Sequence, residues 1–161
     1  MLGKPAGVRL LVCALACVVG ACAGPRGSGT PAPIELVISA ERQLNPDEEG
    51  HSLPTTLRIY QLKGAEKLEP AEFDQIYRNE KETLGETLLR VDEIALSPGG
   101  SLRKLLPRDP AAHALAAVAI FRRPSGTGWR AIEPLPESGA PRVAFTVENY
   151  RIERGETRSS T

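Results

Sequence analysis

Residues 55–62 read TTLRIYQL, and this stretch decides the fold class. Leu57, Ile59 and Gln61 fall on one side, Arg58, Tyr60 and Leu62 on the other. A period of two marks a β-strand, because successive side chains point to opposite faces. Working outward, the same signal recurs. Ile34 to Ser39 is β-branched and apolar and predicts a strand. Val91, Ile94 and Leu96 lead into the turn Ser97-Pro98-Gly99-Gly100. Leu102, Leu105 and Leu106 follow that turn and stop before Pro107. Ala114 to Phe121 is almost unbroken apolar, as expected of a strand buried on both faces. A helix is the rival for this alanine-rich piece, but Val118, Ile120 and the short length favour a strand. After the turn at 124–128 comes Trp129 to Leu135. Last, Val143, Phe145 and Val147 alternate, and Tyr150 and Ile152 extend the same segment. About seven short strands with closely spaced turns predict an all-β, two-sheet β-sandwich over residues 34–153.

One segment departs from this period. From 70 to 79 the spacing turns helical, with Phe73, Ile76 and Tyr77 at i, i+3 and i+4. Pro70 suits a first helical turn. Leu84 and Leu88 continue the spacing, while Gly85 weakens a single long helix. The expectation is a short helical insertion between the second and third strands, then a break and one more turn.

The N-terminus carries a different message. Lys4 and Arg9 precede an apolar run that ends in Val19-Gly20-Ala21-Cys22-Ala23. A basic start, an apolar middle and small residues before a cleavage point make an export signal. A cysteine directly after the small residues marks a lipoprotein signal, with Cys22 acylated as the first residue of the mature chain. The rivals are a simple cleaved signal and cleavage before Cys17, which would cut the apolar run short. The run is too short for a membrane span, which needs roughly 20 apolar residues. The three cysteines, Cys13, Cys17 and Cys22, all fall in this region. Cleavage at 21 leaves 140 of the 161 residues and a single thiol, which excludes an internal disulfide. Residues 22–33, the lipidated cysteine and then AGPRGSGTPAP, form a flexible tether reaching roughly 35 Å when extended. Residues 154–161 are a polar tail, expected to be disordered.

Charge narrows the function classes. The signal removes two of the 20 basic residues and none of the 20 acidic ones, leaving 18 against 20, a net −2. That argues against a nucleic-acid binder and against electrostatic lipid binding. Membrane attachment then rests on acyl chains, at about 0.8 kcal/mol per buried CH₂. The two histidines, His51 and His113, lie in different segments with no Cys or Asp at ligand spacing, so no metal site is expected. Asp47-Glu48-Glu49-Gly50 resembles a calcium loop only faintly and reads as a solvated loop. There is no G-x-S-x-G elbow and no P-loop lysine, so no enzyme, cofactor or small-molecule substrate is expected. A periplasmic lipoprotein holding a small ligand in a sandwich pocket is the alternative.

The weight therefore falls on binding, and on the polar stretch ERQLNPDEEGHSLP at 41–54. Fourteen residues exceed a tight hairpin, and long ordered loops are commonly functional. Pro46 and Pro54 stiffen it, which lowers the entropy lost on binding. Of its two leucines, Leu53 adjoins a strand and has even odds of capping the core. Leu44 is favoured as the exposed one. By this reading Leu44→Asp, or charge reversal at Asp47, weakens partner binding without unfolding the domain.

LNPDEEGHSLP at 44–54, followed by TTLRIYQL, closely resembles the TssJ family, the outer-membrane lipoproteins of type VI secretion systems. The family pattern runs L-N-P-D, two variable residues, G-R-S-L-P, then a strand ending R-I-Y-Q-L. The match continues through Phe73-Asp74, Leu84-Gly85, Leu88-Leu89, Pro98-Gly99, Phe121-Arg122 and Trp129-Arg130. His51 departs from the usual Arg. The resemblance implies a transthyretin-like sandwich with added helical elements, anchored by lipid in the outer membrane and facing the periplasm. It implies that the chain holds the periplasmic C-terminal region of TssM, and through it TssL. The contact residues carried over are Leu44, Asn45, Pro46, Asp47, Gly50, Ser52 and Leu53. Pro46 and Gly50 suit a shaping role, and Asn45 and Asp47 could equally hydrogen-bond within the loop. Ala23, in place of the Asp associated with inner-membrane retention, implies outer-membrane sorting.

Overall fold

The computed structural model describes residues 30–155. The expected export signal at 1–21, Cys22, most of the expected tether and residues 156–161 of the expected tail lie outside the described residues. The elements are β1 (Ile34–Leu44), β2 (Thr55–Leu62), α1 (Phe73–Leu84), a 3₁₀ turn (Gly85–Thr87), β3 (Leu88–Leu96), β4 (Ser101–Leu106), β5 (Ala114–Ile120), β6 (Arg130–Pro134), β7 (Arg142–Asn149) and β8 (Arg151–Arg154). They form two four-stranded sheets, β4-β1-β7-β8 (sheet A) and β3-β2-β5-β6 (sheet B). All pairs are antiparallel except β1 with β7. The fold is the expected all-β sandwich with a helical insertion between the second and third strands.

The core lies between the sheets. Sheet A contributes Ile34, Leu36, Ile38, Val143, Phe145 and Val147, all buried at alternate positions. Sheet B contributes Leu57, Ile59, Leu115, Ala117 and Ala119. Fully burying one large apolar side chain contributes about 1.5–3 kcal/mol, so these two rows dominate the stability.

Sheet B is also covered on its outer face. Tyr60, Leu62, Ala116 and Val118 point away from sheet A, yet all are buried. The segment 65–84 lies over them and adds Leu68, Ala71, Ile76 and Leu84 to the same core. Arg58 and Tyr60, on the side of β2 opposite Leu57 and Ile59, hold the helix. The Tyr60 hydroxyl donates to Glu80 Oε2 at 2.6 Å. Arg58 donates to Glu80 at 3.1 Å and to the Tyr77 carbonyl at 3.3 Å. α1 kinks just beyond, at Asn79 (φ −136°, ψ 45°), so Arg58 meets the carbonyl side of the helix next to its kink.

Four other expectations shift. Pro70 lies outside α1, which begins at Phe73. The Ala71 carbonyl is taken by Arg130, and the Gln75 side chain accepts the Glu72 N–H at 2.9 Å. Tyr77 is exposed, so the apolar stripe narrows to Ile76 with Phe73 half-buried. β1 runs on to Leu44 instead of stopping at Ser39. Glu41, Arg42 and Gln43 are exposed there, so β pairing leaves no apolar alternation to read. Finally, 143–152 is two strands. Asn149 adopts φ 49° and turns the chain back, pairing Glu148 with Arg151, and Arg154 ends β8 rather than opening the tail.

Candidate partner-docking surface

The loop between β1 and β2 crosses from sheet A to sheet B, and each of its residues has a definite job. Asn45 sits at φ 42°, a left-handed conformation that asparagine tolerates better than most residues. Its side chain is buried and doubly used. Nδ2 donates to the Pro54 carbonyl at 3.2 Å, and Oδ1 accepts the Arg122 N–H at 2.9 Å. Its own N–H donates to the Asn149 carbonyl at 2.7 Å. One residue thereby joins the loop to the β5–β6 turn and to the β7–β8 hairpin. Each such bond contributes about 1 kcal/mol, and leaving a buried partner unpaired costs about 1–3 kcal/mol.

The base of the loop is closed by the Leu44 N–H donating to Ser52 Oγ at 3.3 Å and the Leu53 N–H donating to the Leu44 carbonyl at 2.9 Å. Its tip is wound around Asp47. Oδ1 accepts the N–H groups of Glu49 (3.0 Å) and His51 (2.8 Å), and Oδ2 meets His51 Nδ1 at 3.2 Å. Desolvation there pushes the Asp47 carboxyl up. The His51 and Glu49 hydrogen bonds and the His51 charge outweigh it and hold the group below its ordinary value. Gly50, at φ 87° and exposed, makes the turn at the tip, a conformation costly for a residue with a Cβ. The Tyr150 hydroxyl donates to the Pro46 carbonyl, and Tyr150 packs edge-on against Phe121 with centroids 6.1 Å apart.

These contacts divide the seven residues carried over by the resemblance. Leu44 is fully buried and Asn45 nearly so. Pro46, Asp47, Ser52 and Leu53 are half-buried, and Gly50 is exposed. The order foreseen for the leucines is reversed: Leu44 caps the core and Leu53 keeps part of its surface. Leu44→Asp would therefore place a carboxylate in the core, and it cannot serve as a clean binding variant. Charge reversal at Asp47 would break the tip itself. The fully presented charges are Glu48 and Glu49, with Arg122 and Arg123 beside them. Arg123 Nη2 lies 3.3 Å from Glu48 Oε1. In the sequence Arg122 stands out only as part of the family match, and neither it nor Arg123 is placed in the site, because nothing in a single strand-flanking turn reports that the β1–β2 loop is fastened to it.

His51 and Asp47 do meet, contrary to the expectation of no neighbouring Asp. Ligand atoms of Asp47, Glu49 and His51 all lie within 4.8 Å of one another. Both Asp47 oxygens are engaged in holding the tip, so this is a fastening of the loop. His113 precedes β5 at the other end of the sandwich. The hollows of the described residues are open surface clefts of about 320 to 460 Å³. No helix among the described residues is long and apolar enough to cross a membrane. What the arrangement offers is a fastened, exposed rim of mixed charge.

Comparison with known proteins places the chain in a family. Residues 32–150 match a family model described as type VI secretion lipoprotein, VasD, EvfM, TssJ. No curated protein sequence matches the chain. Among solved structures, the T6SS lipoprotein TssJ1 from Pseudomonas aeruginosa is 27% identical with a TM-score of 0.72, over 78% of this chain and 95% of that one. Serratia marcescens Lip, a membrane-bound component of the type VI secretion system, shares the fold at 22% identity and TM-score 0.70, over 80% and 100%. So does a chain from the structure described as T6SS protein TssM C-terminal domain from EAEC, at 23% identity and TM-score 0.68, over 78% and 98%. A family match across nearly the whole sandwich, with the loop and its fastenings inside it, means that the chain belongs to the type VI secretion lipoprotein (TssJ) family.

Proposed function

We propose that this chain is a lipid-anchored structural adaptor that holds the periplasmic C-terminal region of TssM to the outer membrane. Cys22 carries the acyl anchor, and the loop at 46–53 meets TssM. TssL is reached only through TssM. The observation that carries the reading is the polarity of β1. The strand begins at Ile34, where the tether arrives, and ends at Leu44, where the loop begins. Some ten steps of about 3.3 Å separate the two by roughly 33 Å. Anchor and loop thus occupy opposite poles, and with the tether extended the loop stands up to roughly 70 Å from the lipid.

Two variants of the full-length chain test the two ends separately. Cys22→Ser should leave the protein folded but lost from outer-membrane fractions. Replacement of residues 46–51 by a Gly/Ser segment keeps Leu44 and Asn45 in place. It should abolish capture of the TssM periplasmic region by the detergent-solubilised chain. Undiminished capture would sink the loop assignment.

A further inference from the structure

The docking loop is not free-standing. Four contacts fasten it to neighbours that the sequence separates by up to about a hundred residues. Asn45 Oδ1 accepts the Arg122 N–H, Asn45 N–H donates to Asn149, Tyr150 donates to Pro46, and Glu48 pairs with Arg123. The β5–β6 turn therefore stands at a set distance from the loop tip. On this shared surface the charges are segregated. Glu48 and Glu49 project from the loop, and Arg122 and Arg123 from the turn, all exposed. Glu49 and Arg122 have no ion-pair partner among the described residues, and Glu48 and Arg123 have only each other. Their side chains are 72% and 60% exposed. Such a solvated pair contributes about 0.2–1 kcal/mol, so it can open toward a better partner at small cost. Guanidinium groups on a rigid scaffold are frequent interface anchors, because they bind carboxylates through paired donors and lose little freedom.

We propose that Arg122 and Arg123 form the second half of the docking surface and receive an acidic segment of the same partner whose basic groups meet Glu48 and Glu49. This rests on the reading of the loop as the TssM contact and deepens it. The partner is thereby defined chemically: its docking face presents adjacent acidic and basic groups in the reverse order. The Arg151–Glu153 pair, 2.9 Å apart on the hairpin, is a self-satisfied control equally exposed on the flank.

The test uses the full-length chain in detergent and the periplasmic region of TssM as probe, with affinity measured at two ionic strengths. Arg122→Glu with Arg123→Glu should weaken binding at least about tenfold at low salt and flatten its salt dependence. Arg151→Glu should stay within about twofold, the range of a rim charge that contributes little. Exchanging the local pair, Glu48→Arg with Arg123→Glu, keeps the internal ion pair and its melting temperature. It should still lose binding, because the charge order facing the partner is inverted. If the double arginine variant binds within about twofold of the unaltered chain while loop replacement abolishes binding, this inference falls and the loop reading stands. If loop replacement leaves binding intact, both fall.

Discussion

The two sheets have four strands each and opposite outer faces. On sheet A the outer face is wet. Glu35 bridges Arg103 at 3.3 Å and Arg142 at 3.9 Å, and the hydroxyls of Ser39 and Thr146 lie 3.4 Å apart. On sheet B the outer face is dry. Tyr60, Leu62, Ala116 and Val118 are sealed under α1 and the segment before it. The difference teaches that the apolar pattern of a strand counts its covered faces. β1 and β7 alternate because one face is covered, while β5 is a continuous apolar run because both are.

The largest expected effect sets the two faces against each other with one residue type. Val118 and Val37 both point outward from interior strands, one dry and one only half-buried. Val118→Asp should cost about 4 kcal/mol, because the carboxylate would be stripped of water beneath the helix and its cross-strand neighbours Arg58 and Arg130 are already held by Glu80, Glu93 and the Ala71 and Glu69 carbonyls. Val37→Asp, opposite Arg103 in the β1–β4 register, should cost less than about 1 kcal/mol. Urea unfolding measures both. Comparable losses at the two sites would mean that sheet A is covered as well.

A smaller effect separates the inner row from the loop surface. Leu44→Ala should cost about 2–4 kcal/mol by opening a cavity at the end of that row. Leu53→Ala should cost less than about 1 kcal/mol, because Leu53 already keeps part of its surface in water. Equal shifts in the urea midpoint would erase the distinction between the two leucines.

The smallest effect probes what holds the helix to sheet B. Tyr60→Phe should cost about 1–2 kcal/mol, since Glu80 loses a buried donor and keeps only Arg58. The same bond makes a pH signature. Burial, then the Glu80 hydrogen bond and charge, push the Tyr60 hydroxyl above its ordinary value near 10.0. A group whose pKa is raised on folding contributes stability below its unfolded pKa. That stability is lost as pH rises above it. The unaltered chain should therefore lose more stability than Tyr60→Phe above pH 10, read as the difference in thermal midpoints. Parallel alkaline curves would show that Tyr60 is not held by this bond.

Much of this was legible in the residues. The alternation at 55–62 and 143–147, the apolar run at 114–120 and the helical spacing near 73–77 each report local geometry; these strands stand where the pattern puts them, while the helix begins at Phe73 and runs to Leu84. The failures share a cause. Gln43 is in a strand, but its residue type does not say so; Gln61 alternates on the side of Leu57 and Ile59 and is buried with them. Gln61 is tolerated inside because Nε2 donates to the Pro107 carbonyl at 2.9 Å and Oε1 accepts the Asp109 N–H at 2.8 Å. The reversal at Asn149 had one weak signal, an asparagine able to take positive φ, inside a run that otherwise continued to alternate. The proposed docking surface was half legible. Its loop is contiguous in sequence and stood out by length and composition. The arginines beside it belong to another turn and had no local mark.

By itself the sequence determined that the chain is a β-sandwich with one helical insertion, and it singled out the loop at 41–54 by its length and composition. These are consequences of periodicity, composition and spacing, which act over a few residues. Tertiary structure alone decided which leucine of the loop is buried, why Arg58 and Tyr60 serve the helix, and which charges stand beside the loop tip. Those outcomes depend on contacts between residues far apart in the chain, such as Asn45 with Arg122 and Tyr60 with Glu80. Such pairings exist only once two sheets and a helix have packed, because burial and hydrogen-bond satisfaction are properties of the assembled neighbourhood and not of any single segment.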